Sequence, residues 1–166
     1  RTLIDQARAR VSALGLVHRF MYDQDEDRLG HVMVAQLLGD LCAQIRTSNP
    51  AGPSVELQVM AGPRCELSFD SAVPMVLFVL EAVAGAMAAA PAGTPLQGRI
   101  VVLLAGRGPH CRLEILDSVW PETPQQEDYE LLEALALQLA GTFGADRVNG
   151  QKRIWLEFPA AQIAAA

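Results

Sequence analysis

Val55-Glu56-Leu57-Gln58-Val59, a turn at Gly62-Pro63, then Cys65-Glu66-Leu67-Ser68-Phe69 is the stretch that decides how this chain folds. Apolar and polar residues alternate on both sides of the turn, the period-two pattern of strand, turn, strand. Ser71 to Ala90 follows as a long, very apolar helix, with Asp70 or Ser71 to cap it and Pro74 in its first turn. Past the small-residue loop Pro91 to Gln97, Arg99 to Ala105 and Cys111 to Asp117 read as two strands of a hairpin across Gly106-Arg107-Gly108-Pro109. A proline-marked loop, Val119 to Gln125, leads to a helix from Glu127 to Ala140 that Gly141 ends as a C-cap. Two last strands, Ala145 to Asn149 and Arg153 to Phe158, turn at Gly150. Two helices on one face of a mixed sheet make an α+β two-layer sandwich.

Upstream the period changes. Thr47 to Pro53 is dense in proline and glycine and marks a boundary between residues 1–48 and 54–160. Ahead of it Ile4, Val11 and His18 recur at intervals of seven, with Ala7, Leu14 and Met21 offset by three, an a/d seam that should face another helix. The acidic run Asp23 to Asp27 reads as a solvated loop and Gly30 as a turn, after which Val34, Leu38, Leu41 and Ile45 form a second apolar stripe. The expected form is an antiparallel helical hairpin. Such a pair buries too little surface to stand alone, so it should pack on the rest of the chain or on a second copy, and a homodimer is the economical expectation.

Composition narrows the classes of function. With 166 residues, 51% of them hydrophobic, the chain can build one ordered core. No uninterrupted apolar run is long enough to span a bilayer, since Val73 to Ala90 is broken by Pro74 and Glu81, and the expectation is a cytoplasmic protein without a membrane partner. A net charge of −6 with a single lysine, Lys152, disfavours nucleic-acid binding, which needs a concentrated positive face. Cys42, Cys65 and Cys111 are scattered singly in apolar segments and read as reduced core thiols. Only the adjacent His110-Cys111 pair approaches zinc-ligand spacing, and two neighbours cannot close a tetrahedron, so no metal and no cofactor are expected. His18 belongs to the helical seam, while His31, starting a helix, and His110, in a hairpin turn, read as surface residues.

Arg8-Ala9-Arg10-Val11-Ser12-Ala13-Leu14-Gly15-Leu16-Val17-His18-Arg19-Phe20-Met21-Tyr22 resembles the second helix of the dimerisation and phosphotransfer hairpin of sensor histidine kinases of the HWE and related type. The remainder resembles their ATPase-like domain: Asp70-Ser71-Ala72-Val73-Pro74-Met75-Val76-Leu77 the entry to the long nucleotide-binding helix, Arg112-Leu113-Glu114-Ile115-Leu116-Asp117 the strand leading to the adenine-binding aspartate, and Leu131 to Gly141 the helix after the lid. The resemblance implies that Glu81 stands where the family has a catalytic glutamate, Gly85 where it has a magnesium-holding asparagine, and Asp117 at the adenine. It also implies that the phosphoacceptor histidine lies on a helix preceding residue 1, with His18 not the phosphorylated one.

The departures from that pattern carry the functional reading. Gly85 and the Ala86 to Ala90 segment after it offer no side-chain oxygen to Mg²⁺. Asp117 is followed by Ser118-Val119-Trp120-Pro121, a bulky ring and a fixed φ where the family has a flexible glycine turn. Gln126-Glu127-Asp128-Tyr129-Glu130 sets three carboxylates where backbone N–H groups should cradle phosphates. Trp120 could fill the emptied adenine space, and a cleft plugged by Trp120, Met87 or Leu131 would exclude a nucleotide. Glu81 is then either a vestigial base or a rim carboxylate paired with an arginine or a backbone N–H. The expected protein is a two-component signalling module, degenerate in ATP binding, that works with a response regulator or a partner kinase as histidine phosphotransferases with crippled kinase domains do. An active kinase with a divergent site and a non-catalytic interaction module stay open beside it.

Overall fold

Alternation along Cys111 to Asp117 puts Cys111, Leu113, Ile115 and Asp117 on one face of a strand, and that face floors the core. The computed structural model describes residues 3–22, 31–48, 55–62, 66–88, 98–118 and 129–159. In chain order its elements are α1 (Leu3–Tyr22), β1 (His31–Met33), α2 (Val34–Ser48), β2 (Val55–Ala61), β3 (Glu66–Ser68), α3 (Phe69–Ala88), β4 (Gly98–Arg107), β5 (His110–Asp117), α4 (Glu130–Gln138), β6 (Thr142–Val148) and β7 (Gln151–Pro159). The main sheet has five strands in the order β2-β4-β5-β7-β6, with β2 parallel to β4 and the other neighbours antiparallel. Helices pack on its apolar face, so the architecture is the expected α+β sandwich.

The two late hairpins form where local sequence dictates them. Asn149 (φ 52°) and Gly150 (φ 79°) both take left-handed backbone, the geometry of a tight turn whose twist suits the flanking strands. Gly108 (φ 60°) turns β4 into β5. Non-local pairing differs from the local reading. β2 and β3 do not pair with each other: β2 lies parallel to β4, while β3 pairs antiparallel with β1 in a separate small sheet. His31 therefore lies in a strand and does not start a helix.

Two caps also differ from expectation. Ser68 Oγ accepts the Ser71 backbone N–H at 3.4 Å, so the α3 cap is Ser68 and not Asp70 or Ser71, and Pro74 lies beyond the first turn. At the end of α4 the left-handed position falls on Ala140 (φ 49°), with Ala140 N–H donating to Leu137 O and Gly141 N–H to Ala136 O, a Schellman closure. Gly141 is needed for a different reason: a Cβ there would sit 2.6 Å from Glu157 O, so it lets the chain pass close to β7.

By length and composition α3 could cross a membrane, yet its apolar surface is taken up by α1, α2, α4 and the sheet. The α2 stripe Val34, Leu38, Leu41 and Ile45 is buried as expected, and it rests on β2 as well as on α1 and α3. One continuous set of buried side chains runs from Ala13 on α1 to Phe158 on β7.

Candidate functional site

The long helix α3 carries Glu81 and, one turn on, Gly85. Arg10 of α1 donates through Nε to Glu81 Oε1 at 2.7 Å, which realises the arginine-paired alternative for this carboxylate. Hydrogen bonding to Glu81 holds the Arg10 guanidinium above its ordinary value. The Arg10 side chain is 43% exposed, so the pair is worth about 0–1 kcal/mol, and α1 is seated mainly by its buried side chains Ala13, Leu16 and Val17. Gly85 is exposed, and a Cβ built there meets nothing within 4 Å. Packing does not impose this glycine. What the position lacks is an oxygen donor for a hard cation.

Asp117 ends β5 and is the one buried charged side chain among the described residues, 3% exposed. It directly opposes Ile100 on β4 and Lys152 on β7. Directly opposed residues of antiparallel strands project to the same face, so Asp117 and Lys152 share the side of the sheet that the helices cover. Ser118 continues the β4 ladder: its N–H and its hydroxyl both donate to Arg99 O at 3.0 Å, and its hydroxyl accepts from Arg99 N–H at 3.0 Å. Asp117-Ser118 is accordingly the end of a strand. Tyr129, just before α4, packs its ring 5.5 Å from that of Phe143, which in turn meets Phe78 of α3 edge-on at 6.0 Å. Lys152 Nζ lies 5.5 Å from the centre of the Tyr129 ring. Because α3 packs on β5, the helix bearing Glu81 and Gly85 crosses the strand that Asp117 ends.

The helical seam faces outward. Ile4 and Val11 are 71% and 68% exposed, Leu14 and His18 are exposed beside them, and α1 meets the core through its other side, Ala13, Leu16 and Val17. His18 stacks on Tyr22 with ring centres 4.6 Å apart and is not buried. The Met21 side chain lies outside the described residues, as do Trp120 and the carboxylates Glu127 and Asp128. Of the three residues that could plug a cleft, Met87 is buried in the core and Leu131 is 41% exposed.

A cavity of about 780 Å³ opens elsewhere, at the edge of the sheet between Ala35 and Gly39 of α2, Met60 at the end of β2, Leu103 of β4 and Arg112 of β5. Neither Glu81, Gly85 nor Asp117 lines it. Arg112 there is already committed, bonding Glu114 at 2.7 Å and Glu157 at 3.2 Å and lying 4.8 Å from the centre of the Trp155 ring. Cys42 and Cys111 are buried and not in a disulfide, Cys65 lies outside the described residues, and among the described residues no three metal-ligating side chains gather. Sequence reading missed Arg10 as the partner of Glu81 and missed Lys152 and Tyr129 beside Asp117. The sole lysine of the chain was visible, but its position depends on the β5–β7 register, which no local pattern reveals.

No family model and no curated protein matches this chain. Solved structures do. The blue-light activated histidine kinase EL346 of Erythrobacter litoralis superposes with a TM-score of 0.78 at 17% identity, over 95% of this chain and 55% of that one. Its histidine kinase domain alone gives 0.75 at 17% identity, over 93% of this chain and 79% of the domain. The Acinetobacter baumannii histidine kinase AdeS gives 0.61 at 9% identity, over 92% and 77%. The fold is thus that of the histidine kinases, and the chain spans about half the length (55%) of the full-length blue-light kinase it resembles.

Proposed function

We propose that this chain is a two-component signalling module of histidine-kinase fold that no longer uses ATP and acts on a response regulator as a phosphotransfer or docking partner. The observation that carries the reading is on α3: where the fold would need an oxygen to anchor Mg²⁺ against a triphosphate, the helix presents Gly85, with room for a side chain and none present. The neighbouring Glu81 is engaged by Arg10, and the sequence on either side of the Asp117 corner lacks the glycines that let a backbone approach phosphates. Phosphotransfer needs no nucleotide here. A regulator's aspartyl phosphate can pass its phosphoryl group to an imidazole nitrogen, the P–O bond breaking as the P–N bond forms and the carboxylate leaving with the electron pair. The acceptor would sit on a helix preceding residue 1, packed against the open face of α1.

That open face supports the homodimeric form. Ile4, Val11 and Leu14 together expose an apolar stripe on the side of α1 away from the core, a surface that a second helix would cover. Residues 1–48 would then supply the dimerisation region, and 54–160 the ATPase-like part. The plain interaction module remains the second reading, favoured by the same stripe. The test is a pair of assays on the chain, extended N-terminally where its parent protein continues: incubation with ATP and Mg²⁺, and incubation with a phosphorylated response regulator. Label should reach the protein from the regulator and not from ATP. Labelling from ATP would establish an active kinase, and labelling from neither would leave the interaction module.

A further inference from the structure

We propose that Lys152 is the residue that closes the Asp117 corner to a ligand's base, its ammonium group seated on Tyr129 taking up the place beside the buried carboxylate. The inference rests on the reading of Asp117 as the remnant of an adenine site, and it adds the group that shuts that site from within.

Three independent placements converge on it. The β5–β7 register sets Lys152 directly opposite Asp117, with Leu113–Leu156 and Ile115–Ile154 as the pairs before it on the same, helix-covered face. Each of those earlier pairs contributes apolar side chains to the core, so a lysine in the last position of the row breaks the pattern. The chain contains no other lysine, its remaining basic residues being arginines. Lastly, the amine lies 5.5 Å from the centre of the ring of Tyr129, the residue just before α4, on the helix-covered side of the sheet. Cation and ring attract through the ring quadrupole, and more strongly where water is displaced.

The consequence for binding is chemical as well as steric. A buried carboxylate selects a ligand by accepting a hydrogen bond from it, as it would from the exocyclic amine of a purine. A lysine ammonium nearby offers three donors of its own and a full positive charge, so it competes for the carboxylate's field and fills the volume against Tyr129 that a flat base would use for stacking.

Adenosine is the probe, because it lacks phosphates and so does not depend on Gly85 or on residues 126–130. Binding is followed by ligand-observed NMR on the whole chain for the wild type, Lys152→Ala, Lys152→Met and Lys152→Ala/Asp117→Asn. Lys152→Ala should bind adenosine at least tenfold more tightly than the wild type, and the added Asp117→Asn should abolish that gain. Lys152→Met, which keeps much of the stem and loses the charge, should fall between them and serves if the alanine variant fails to fold. Equal adenosine affinity in wild type and both folded lysine variants would overturn the proposal. Tight MgATP binding by the wild type would instead overturn the degenerate-site reading, so the two failures are separable.

Discussion

Single residues already carry measurable consequences. Burial pushes the Cys42 thiol up to about 12, because the thiolate would lose its hydration among Leu38, Leu41 and Ile45 without gaining a partner. In the native protein at pH 8 Cys42 should resist alkylation, with peptide mapping after iodoacetamide showing modification only once denaturant is added; rapid native labelling would contradict its placement. Asp146 behaves in the opposite sense. Arg153 bonds it through Nε at 2.8 Å and Nη2 at 2.6 Å, and this hydrogen bonding holds the carboxyl below its ordinary value. Its folded value therefore lies below the unfolded one of about 3.9, so the pair's contribution is complete above that pH and is lost as pH falls through the folded value. An NMR titration should place Asp146 below the usual carboxylate range, and Arg153→Ala should return it there. The pair is exposed, so added salt should shrink the effect.

At the scale of elements, backbone geometry and close approach decide what each position tolerates. Ala140 closes α4 in left-handed backbone that a β-carbon disfavours, so Ala140→Gly should raise stability by about 1 kcal/mol, read as a higher urea midpoint. Gly144 on β6 is the converse case: a Cβ there would overlap the Trp155 ring, which Arg112 stacks from the same face. Gly144→Ala should cost about 1–3 kcal/mol by overpacking and shift tryptophan fluorescence. On α1, Leu14→Asp should abolish self-association in light scattering while leaving the melting temperature nearly unchanged, because Leu14 faces away from the core that Ala13, Leu16 and Val17 enter. The same elements show how far sequence could be read. Helix α3 and the hairpins β4–β5 and β6–β7 announce themselves through short-range period and turn residues. The β1–β3 pair and the parallel β2–β4 pair do not, because their partners lie far apart in the chain and a three-residue strand carries no period of its own. On α1 the seven-residue spacing picks out residues that lie exposed, and the face that enters the core is the other one, since Ala13, Leu16 and Val17 also recur at helical spacing.

For the molecule as a whole, the fold is that of the histidine kinases, and the proposed loss of ATP use rests on a few positions within it. Glu81 and Asp117 survive at their places on α3 and β5, one engaged by Arg10 and the other facing Lys152 across the sheet, and both features follow from packing between elements that sequence order alone does not bring together. Gly85, by contrast, was legible from sequence, because a missing oxygen is a property of the residue and not of its surroundings. On the proposed reading, signalling would depend on surfaces, foremost the exposed apolar stripe of α1. The most direct measurement is a calorimetric titration of the chain with a nonhydrolysable ATP analogue and Mg²⁺. No saturable heat is expected at millimolar nucleotide; saturable, magnesium-dependent binding that Asp117→Asn abolishes would show that the site still takes ATP.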